Sequence, residues 1–293
     1  MLITGANSGL GKQAALELSR AGWSVVGACR SVERGEAAAR ELAAQGGGMT
    51  VMALDLASLA SVRSFAAAFQ ERHSSLDVLV CNAGVMSPPE RRLTEDGFEL
   101  QFQTNHLGHY LLTSLLLKTL LGAPAARVVN VDSSAHLWGS TDLAAAVRCD
   151  GFFGYPALGW AAYGTSKLAN VLHTYELHRR LRSAGLTRVD TNAVHPGVVD
   201  TELPRNLPVN LWEPAKAAGL IISVQDGARG HVRLASDPAL AGVSGRYYST
   251  SAAGRVDAVR SSAASYDGDA AERLWELSKD LTGADWAPLG KCA

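Results

Sequence analysis

The sequence lacks the patterns that mark several large classes of protein. The four cysteines, Cys29, Cys81, Cys149 and Cys292, are far apart, and no Cys-x-x-Cys or metal-spaced histidine cluster occurs. Neither a disulfide framework nor a metal site is therefore expected, and the cysteine usage suits a reducing compartment such as the cytoplasm or an organelle stroma. No apolar run reaches about 18 residues, which predicts no membrane span in this chain.

An excess of charge of one sign is also absent. The chain has 27 lysines and arginines against 28 aspartates and glutamates, which gives no electrostatic reason to expect nucleic acid or an anionic membrane as a partner. No secretory signal peptide is recognisable at the start. The apolar stub Met1-Leu2-Ile3 is shorter than a usual buried strand, which leaves room for a targeting segment or an anchor upstream.

Helical and strand patterns alternate through the 293 residues, of which 47% are hydrophobic. After the stub and its helix, the predicted elements are strand 24–29, helix 33–45, strand 50–54, helix 58–73, strand 77–81, helix 96–121, strand 126–131, helix 161–184, strand 188–194, helix 225–236, a short strand near 245–248 and helix 269–282. Successive strand–helix units predict an α/β fold, a single domain with a doubly wound parallel sheet of about seven strands and helices on both faces. Residues 1–135 would form its cofactor half and residues 136–293 its catalytic and substrate half.

A glycine-rich turn follows the first strand. Thr4-Gly5-Ala6-Asn7-Ser8-Gly9-Leu10-Gly11 opens a helix that runs to about Ala21. Glycines let the backbone turn sharply and approach a pyrophosphate, and the start of the helix offers free N–H groups to it. Spaced glycines alone are a common turn, but between a strand and a helix they predict nucleotide binding.

Arg30 ends the second strand. In a doubly wound sheet this position lies beside the adenosine ribose. An arginine there can pair with a 2′-phosphate, where an acidic residue would bind a free 2′-hydroxyl. The sequence therefore favours NADP over NAD, with Ser31 and Arg34 assisting, unless Arg30 only caps the strand.

Polar groups and turns also follow the third and fourth strands, where ligands bind in such sheets. Asp55-Leu56 follows the third strand, and Asn82-Ala83-Gly84 closes the fourth. Asp55 is expected either to meet the adenine amino group or to cap the helix that starts near Ser58. Asn82 is expected to pin neighbouring strands and line the cofactor slot.

The sixth strand ends in a Pro-Gly turn. Pro196-Gly197 stops the strand, which leaves the Val199 N–H and Thr201 free to hold a polar group such as a carboxamide. The stretch 202–222 is apolar and broken by prolines, which predicts a substrate lid or, alternatively, a packed crossover loop. The long connection 137–160 is also expected to serve binding.

Tyr163 and Lys167 lie four residues apart at the start of helix 161–184, so they share one face. An ammonium beside a phenol favours the phenolate and lowers the phenol pKa from about 10. Such a hydroxyl can exchange a proton with a carbonyl or alcohol oxygen, although a surface Tyr and Lys would show the same pattern.

Two further polar positions accompany this pair. Ser133 or Ser134, after the fifth strand, could polarise a carbonyl, and no Gly-x-Ser-x-Gly elbow supports a hydrolase. Asn105, among apolar neighbours in helix 96–121, is either a satisfied buried amide or part of a polar relay.

Together these residues resemble the short-chain dehydrogenase/reductase superfamily along nearly the whole chain. The resemblance implies a Rossmann-type fold, with Tyr163 as general acid/base and Lys167 lowering its pKa and holding the nicotinamide ribose. It implies that Ser133 positions the carbonyl and that Asn105 supports a water-linked proton relay. The implied cofactor contacts are Gly5, Asn7, Ser8, Gly9, Leu10, Arg30, Ser31, Asp55, Leu56, Asn82, Ala83, Gly84, Tyr163, Lys167, Pro196, Val199 and Thr201.

Within the superfamily the chain is similar to the retinol dehydrogenase and protochlorophyllide reductase branch, through Ala28-Cys29-Arg30, Thr104-Asn105-His106-Leu107-Gly108-His109 and Ser166-Lys167-Leu168-Ala169-Asn170. Light-dependent protochlorophyllide reductases carry a cysteine after the Pro-Gly turn, where this chain has Val198. They carry another after the Ser-Lys pair, where Leu168-Ala169 stand here. These departures favour a dark carbonyl reductase over light-driven reduction of a C=C bond. With Arg30 and the apolar stretch 202–222, they predict NADPH-dependent interconversion of a lipophilic aldehyde or ketone and its alcohol.

A non-catalytic NADP-binding sensor or scaffold is the other alternative, and the complete Asn–Ser–Tyr–Lys set argues against it. The superfamily often forms homodimers through the helices predicted here at 96–121 and 161–184.

Overall fold

A twisted eight-stranded sheet forms the centre of the computed structural model, which describes residues 1–142, 157–200 and 221–290. Its strands are β1 Leu2–Thr4, β2 Val26–Cys29, β3 Thr50–Ala53, β4 Val78–Cys81, β5 Ala126–Val131, β6 Val189–His195, β7 Arg246–Thr250 and β8 Val256–Val259. They lie in the order β3-β2-β1-β4-β5-β6-β7-β8. Strands β1 to β7 are parallel and β8 runs antiparallel to β7, so the carboxyl ends of seven strands share one edge.

Helices cover both faces of this sheet. They are α1 Gly9–Arg20, α2 Val32–Ala44, α3 Leu59–Arg72, α4 Leu100–Phe102, α5 Gly108–Leu121, α6 Ala157–Ser183, α7 Val224–Ser236 and α8 Gly268–Thr282. Successive strand residues point to opposite faces: Leu79 and Val128 pack with Trp275 on one side, and Val80 and Val129 pack with α1 and α7 on the other. The two apolar layers account for the nearly continuous apolar runs of the central strands.

The predicted doubly wound, mostly parallel α/β fold is confirmed, with differences in detail. The strand β8 was not predicted, because three of its four residues are exposed and it shows no alternating apolar pattern. The predicted helix 96–121 instead begins at Leu100, where the Glu99 carboxylate accepts a hydrogen bond from the Phe102 N–H at 2.7 Å. It also contains a π-helical turn at Gln103–Leu107 between α4 and α5. Among the described residues, no helix has the length and apolar character that a membrane crossing requires.

Candidate active site

A cleft of about 520 Å³ opens at the carboxyl edge of the sheet, lined by segments that follow six of the parallel strands. In such sheets the ligand crevice lies where the strand order reverses, which here is between β1 and β4. Sixteen of the predicted cofactor contacts line the cleft: Gly5, Asn7, Ser8, Gly9, Leu10, Arg30, Ser31, Asp55, Leu56, Asn82, Ala83, Gly84, Tyr163, Lys167, Pro196 and Val199. Thr201 lies outside the described residues.

The glycine turn is tight and packs against the end of β4. Gly5 and Gly9 have left-handed backbones, with φ of +68° and +51°, which glycine adopts without strain. A Cβ atom at Gly11 would lie only 2.5 Å from both the Asn82 Nδ2 and the Gly5 carbonyl oxygen. Ser8 makes no side-chain cap at the start of α1, so the turn presents backbone N–H groups to the cleft. This cradle fits a dinucleotide phosphate.

Asn82 pins neighbouring elements, as predicted. Its Nδ2 donates to the Thr4 carbonyl oxygen at 2.7 Å, and its Oδ1 accepts from the His231 Nε2 at 3.1 Å. The Thr4 hydroxyl oxygen accepts from the backbone N–H groups of both Asn82 and Ala83, each at 2.9 Å. These bonds hold the turns after β1 and β4 in one rigid unit with α7.

At the other end of the cleft, Arg30 is exposed and forms no hydrogen bond or ion pair with the described part of the chain. The Ser31 hydroxyl caps α2 by accepting from the Arg34 N–H at 3.1 Å. Asp55 does not cap α3, since Ser58 does so. The Asp55 carboxylate instead accepts from the Ala57 N–H at 2.9 Å, which leaves the residue at the wall of the cleft.

Tyr163 and Lys167 lie on one face of α6, with the Lys167 Nζ 5.7 Å from the centre of the Tyr163 ring. The Lys167 Nζ donates to the Val131 carbonyl oxygen at 2.9 Å. Tyr163 is only 3% exposed, and Ser133 lies close enough to lower the pKa of its phenol. Ser134 also lines the cleft, and its backbone N–H donates to the His195 Nδ1 at 3.2 Å.

The expected lowering of the Tyr163 pKa is not found. Burial raises the pKa of the Tyr163 phenol, and the nearby Asp132 carboxylate raises it further, while the hydrogen bond with Ser133 opposes both. Burial also lowers the pKa of Lys167. The sequence prediction failed here because it weighed the neighbouring ammonium and not the loss of water around the phenol.

Asn105 lies in the π-helical turn and is fully buried. Its Oδ1 accepts from the Val85 N–H at 2.8 Å, and its Nδ2 donates to the Val85 carbonyl oxygen at 3.0 Å and to the Ser166 hydroxyl at 2.9 Å. The first of its two predicted readings, a satisfied buried amide, describes this geometry. Asn105 and Lys167 approach each other behind Gly84, whose Cβ position would lie 3.2 Å from the Asn105 Oδ1 and 3.9 Å from the Lys167 Nζ.

Sequence analysis missed Asp132 and His136. Asp132, 2% exposed, has its carboxylate 3.2 Å from the His136 Nδ1. The His136 Nδ1 must donate to the Ser133 carbonyl oxygen at 2.7 Å, and its Nε2 must accept from the Ser262 N–H at 3.0 Å. The bond from Ser262 requires a neutral imidazole, although the Asp132 carboxylate raises the pKa of His136 despite its burial. Burial raises the pKa of Asp132. The position of Asp132, directly after the apolar strand β5, was the sequence feature that could have indicated it.

The last residue of the predicted lid, Ile222, contacts the segment that follows β6. Val199 pairs with Ile222, whose N–H donates to the Val198 carbonyl oxygen at 2.8 Å. Ile222, at the end of the predicted lid, is thus paired with two residues of the cleft wall, Val198 and Val199. Residues 202–220 of the predicted lid, and residues 143–156 of the long connection before α6, lie outside the described residues.

Comparisons with known proteins identify the family of the chain. Residues 1–145 match the family model for short chain dehydrogenases. The chain is 40% identical to human retinol dehydrogenase 13 over 304 aligned residues, which cover 97% of this chain and 85% of that protein.

Two solved structures share the fold. An uncharacterized protein from Mycobacterium paratuberculosis has a TM-score of 0.78 at 39% identity, over 97% of this chain and 93% of the other. A Beutenbergia cavernae protein assigned as an NAD(P)-dependent gluconate 5-dehydrogenase, with NADP bound at low occupancy, has a TM-score of 0.68 at 26% identity, over 86% and 94%.

The fold and the cleft thus define an oxidoreductase that takes a nicotinamide cofactor. The chain belongs to the short-chain dehydrogenase/reductase family, in its retinol dehydrogenase-like branch.

Proposed function

We propose that this protein is an NADPH-dependent oxidoreductase that interconverts a lipophilic aldehyde or ketone and its alcohol. The observation that carries the proposal is the burial of the Tyr163 phenol near Ser133 in the cleft, with Lys167 one helical turn beyond Tyr163. Two hydroxyl groups in this arrangement can both donate to one carbonyl oxygen. A surface Tyr–Lys pair would not be buried beside a serine.

A nicotinamide cofactor bound in the cleft would supply the hydride. The turn at Gly5–Gly11 and the start of α1 would hold its pyrophosphate, Lys167 its nicotinamide ribose, and the segment from Pro196 to Val199 its carboxamide.

Ser133 and Tyr163 would donate hydrogen bonds to the carbonyl oxygen as negative charge develops on it. Because burial raises its pKa, Tyr163 stays protonated at neutral pH and is ready to give a proton to that oxygen. This protonation state favours the reductive direction. In alcohol oxidation the same phenol would first have to ionise.

The preference for NADPH rests on Arg30. Its side chain is exposed at the cleft wall and has no partner in the described residues, and Arg34 lines the same wall. A 2′-phosphate would pair with the Arg30 guanidinium through charge-assisted hydrogen bonds. The NADP found in the Beutenbergia cavernae structure is in keeping with this preference.

The loss of NADPH absorbance in the dark, with lipophilic aldehydes and ketones as substrates, tests the reaction. We expect Tyr163→Phe to lower kcat by at least about 100-fold, since it removes a positioned acid, and to leave the NADPH Kd nearly unchanged. Tyr266→Phe, at an exposed tyrosine outside the cleft, is the matched control and should keep full activity. Substantial turnover by Tyr163→Phe would refute the assignment, and tight NADPH binding without turnover of any carbonyl would favour a binding role.

The cofactor preference has its own test. Removing a charged hydrogen-bond partner costs about 1.5–3 kcal/mol, so Arg30→Ala should lower the ratio of kcat/KM for NADPH over NADH by about 10- to 100-fold. Arg40→Ala, at an exposed position on α2 that does not line the cleft, should leave the ratio unchanged. An unchanged ratio in Arg30→Ala would show that Arg30 does not contact the 2′-phosphate.

A further inference from the structure

A buried histidine on α5 lies between the glycine turn and the helical turn that carries Asn105. His109 is 4% exposed, and the proposed reaction assigns it no role. Its Nε2 lies 2.8 Å from the hydroxyl oxygen of Thr4, the residue before Gly5. Its Nδ1 lies 3.1 Å from the backbone carbonyl oxygen of Asn105. One imidazole ring therefore connects the phosphate cradle to the π-helical turn.

The partners of His109 fix its protonation state. A carbonyl oxygen only accepts hydrogen bonds, so the His109 Nδ1 must donate to Asn105. The Thr4 hydroxyl oxygen already accepts from the backbone N–H groups of Asn82 and Ala83, which occupies both of its lone pairs. The Thr4 hydroxyl therefore donates its own hydrogen to the His109 Nε2. Burial lowers the pKa of His109 to about 4, which keeps the ring neutral at pH 7.

The hydrogen bonds continue from Asn105 to Tyr163, the proposed proton donor. The Asn105 Nδ2 donates to the Ser166 hydroxyl at 2.9 Å, and this hydroxyl donates to the backbone carbonyl oxygen of Tyr163 at 2.7 Å. Thr4, Asn105 and Ser166 are fully buried, so a bond lost there leaves its polar partners without water. A continuous path thus leads from the phosphate cradle through His109 to the backbone of Tyr163.

Each end of this path has its own task in the proposed reaction. The turn that begins after Thr4 would hold the cofactor pyrophosphate, and Tyr163 would give a proton to the substrate oxygen. Such groups must be held within a fraction of an ångström of the productive geometry. The two ends belong to β1 and α6, so packing between elements sets their separation. His109 ties both ends to α5.

We propose that His109 is a positioning residue that anchors the phosphate cradle through its Nε2 and the Asn105–Ser166–Tyr163 part of the path through its Nδ1. This inference rests on the proposed carbonyl reduction for the task of Tyr163. Because the two bonds use different atoms of the ring, substitutions can remove them one at a time. A histidine that only fills space in the core would not respond to that difference.

Three substitutions at this position separate the two anchors. His109→Gln places an amide oxygen near the position of Nε2, where it can accept from Thr4, and loses the bond to Asn105. His109→Asn places an amide N–H near the position of Nδ1, where it can donate to Asn105, and loses the bond to Thr4. His109→Phe keeps a ring of similar size and loses both bonds.

Isothermal titration with NADPH and kcat at saturating NADPH measure the two effects. Loss of one neutral hydrogen bond changes an equilibrium constant by about 2- to 10-fold. We therefore expect His109→Asn to raise the NADPH Kd about 2- to 10-fold and to retain most of the wild-type kcat. His109→Gln should keep the wild-type Kd and lower kcat at least about 10-fold, because a small misplacement of a reacting group slows the reaction strongly. His109→Phe should show both effects.

Ser166→Ala breaks the same path at its last bond. It should lower kcat about as much as His109→Gln and leave the NADPH Kd unchanged. In the double variant kcat should fall no further, because either break alone separates Tyr163 from His109. Thr113→Val is the matched control. Thr113 is buried one turn further along α5, and its hydroxyl donates to the His109 backbone carbonyl at 2.8 Å, outside the path; this variant should keep the wild-type kcat and Kd.

Equal Kd values in His109→Asn and His109→Gln would overturn the inference, as would losses of kcat that add up in the double variant. The Gln and Asn variants each keep one bond, so their comparison stands even if His109→Phe folds poorly. Failure of the proposed function looks different. No carbonyl compound would then consume NADPH, the two Kd values would still differ, and the Kd comparison alone would decide the inference.

Discussion

Adding one methyl group at Gly11 tests whether the glycine turn and Asn82 form a single rigid cradle. The new Cβ atom in Gly11→Ala would lie 2.5 Å from the Asn82 Nδ2 and 2.5 Å from the Gly5 carbonyl oxygen. Neither neighbour can yield easily. The first is held by Thr4 and His231, and the second is backbone in a turn that already has a φ of +68°.

The expected cost has two parts. Overpacking of a tight site costs about 1–3 kcal/mol, and displacing Asn82 leaves buried polar groups unpaired at about 1–3 kcal/mol. The free energy of unfolding should therefore fall by about 2–6 kcal/mol. For a domain of this size about 2 °C corresponds to 1 kcal/mol, so the Tm should fall by about 4–12 °C. The NADPH Kd should rise at least about tenfold, because the backbone N–H groups of the turn would be displaced from the phosphates.

Gly48→Ala is the matched control. A Cβ atom at Gly48 has no neighbour within 4 Å, and the φ of Gly48 is not left-handed. Its free energy of unfolding should stay within about 0.5 kcal/mol of the wild type. Thermal melts, urea titrations and isothermal titration with NADPH measure the three quantities. If Gly11→Ala had the same Tm and the same NADPH Kd as Gly48→Ala, the glycine turn would be far more adaptable than its contacts indicate, and the prediction would be wrong.

Two further predictions concern buried titratable groups. Asp132→Asn removes a carboxylate that raises the pKa of Tyr163, so that pKa should fall and the pH profile of kcat/KM for alcohol oxidation should extend to lower pH; a profile identical to the wild type would contradict this electrostatic role. Four buried histidines should make the fold sensitive to mild acid. Burial lowers the pKa of His106 to about 3 and the pKa values of His109, His195 and His231 to about 4. The unfolded chain, with histidine pKa values of about 6.5, binds more protons between about pH 4 and 6.5. The contribution of these histidines to the free energy of unfolding is therefore fully present above pH 6.5. As the pH falls through this window, it decreases by up to about 1.4 kcal/mol per histidine and pH unit. The urea midpoint should be lower at pH 5 than at pH 7.5, and an equal midpoint would show that these histidines are not buried in the neutral form.

The short-range patterns of the chain predicted most of the fold. The strand 126–131 has the same bounds in the structure, and helices α1, α2, α3 and α7 begin or end within about one residue of their predicted limits. These elements were predictable because their apolar residues recur every 3.6 residues in a helix or every 2 residues in a strand, which is visible in a short stretch of sequence. The strand β8 shows no such period, since its pairing with β7 stabilises it and most of its side chains face solvent.

The residues of the candidate site were predictable as a set, but their environment was not. The structure gathers the sixteen predicted cofactor contacts within the described residues around one cleft. The order of strand and helix units is enough to place the ends of parallel strands at one edge. The effect of burial on the pKa of Tyr163 and the neutral state of His136 depend on what surrounds each side chain in three dimensions.

By itself, the sequence determined the doubly wound α/β class, the glycine turn and the spacing of Tyr163 and Lys167, because each depends on neighbours within a few residues. Only the tertiary structure decided that Tyr163 is buried near Ser133, and that Trp138 and Trp160 line the same cleft. It also decided that Asp132 adds a buried carboxylate beside them. These contacts join residues from different elements of the fold. Packing between helices and strands sets their distances and removes the water around them, and no local pattern records either effect.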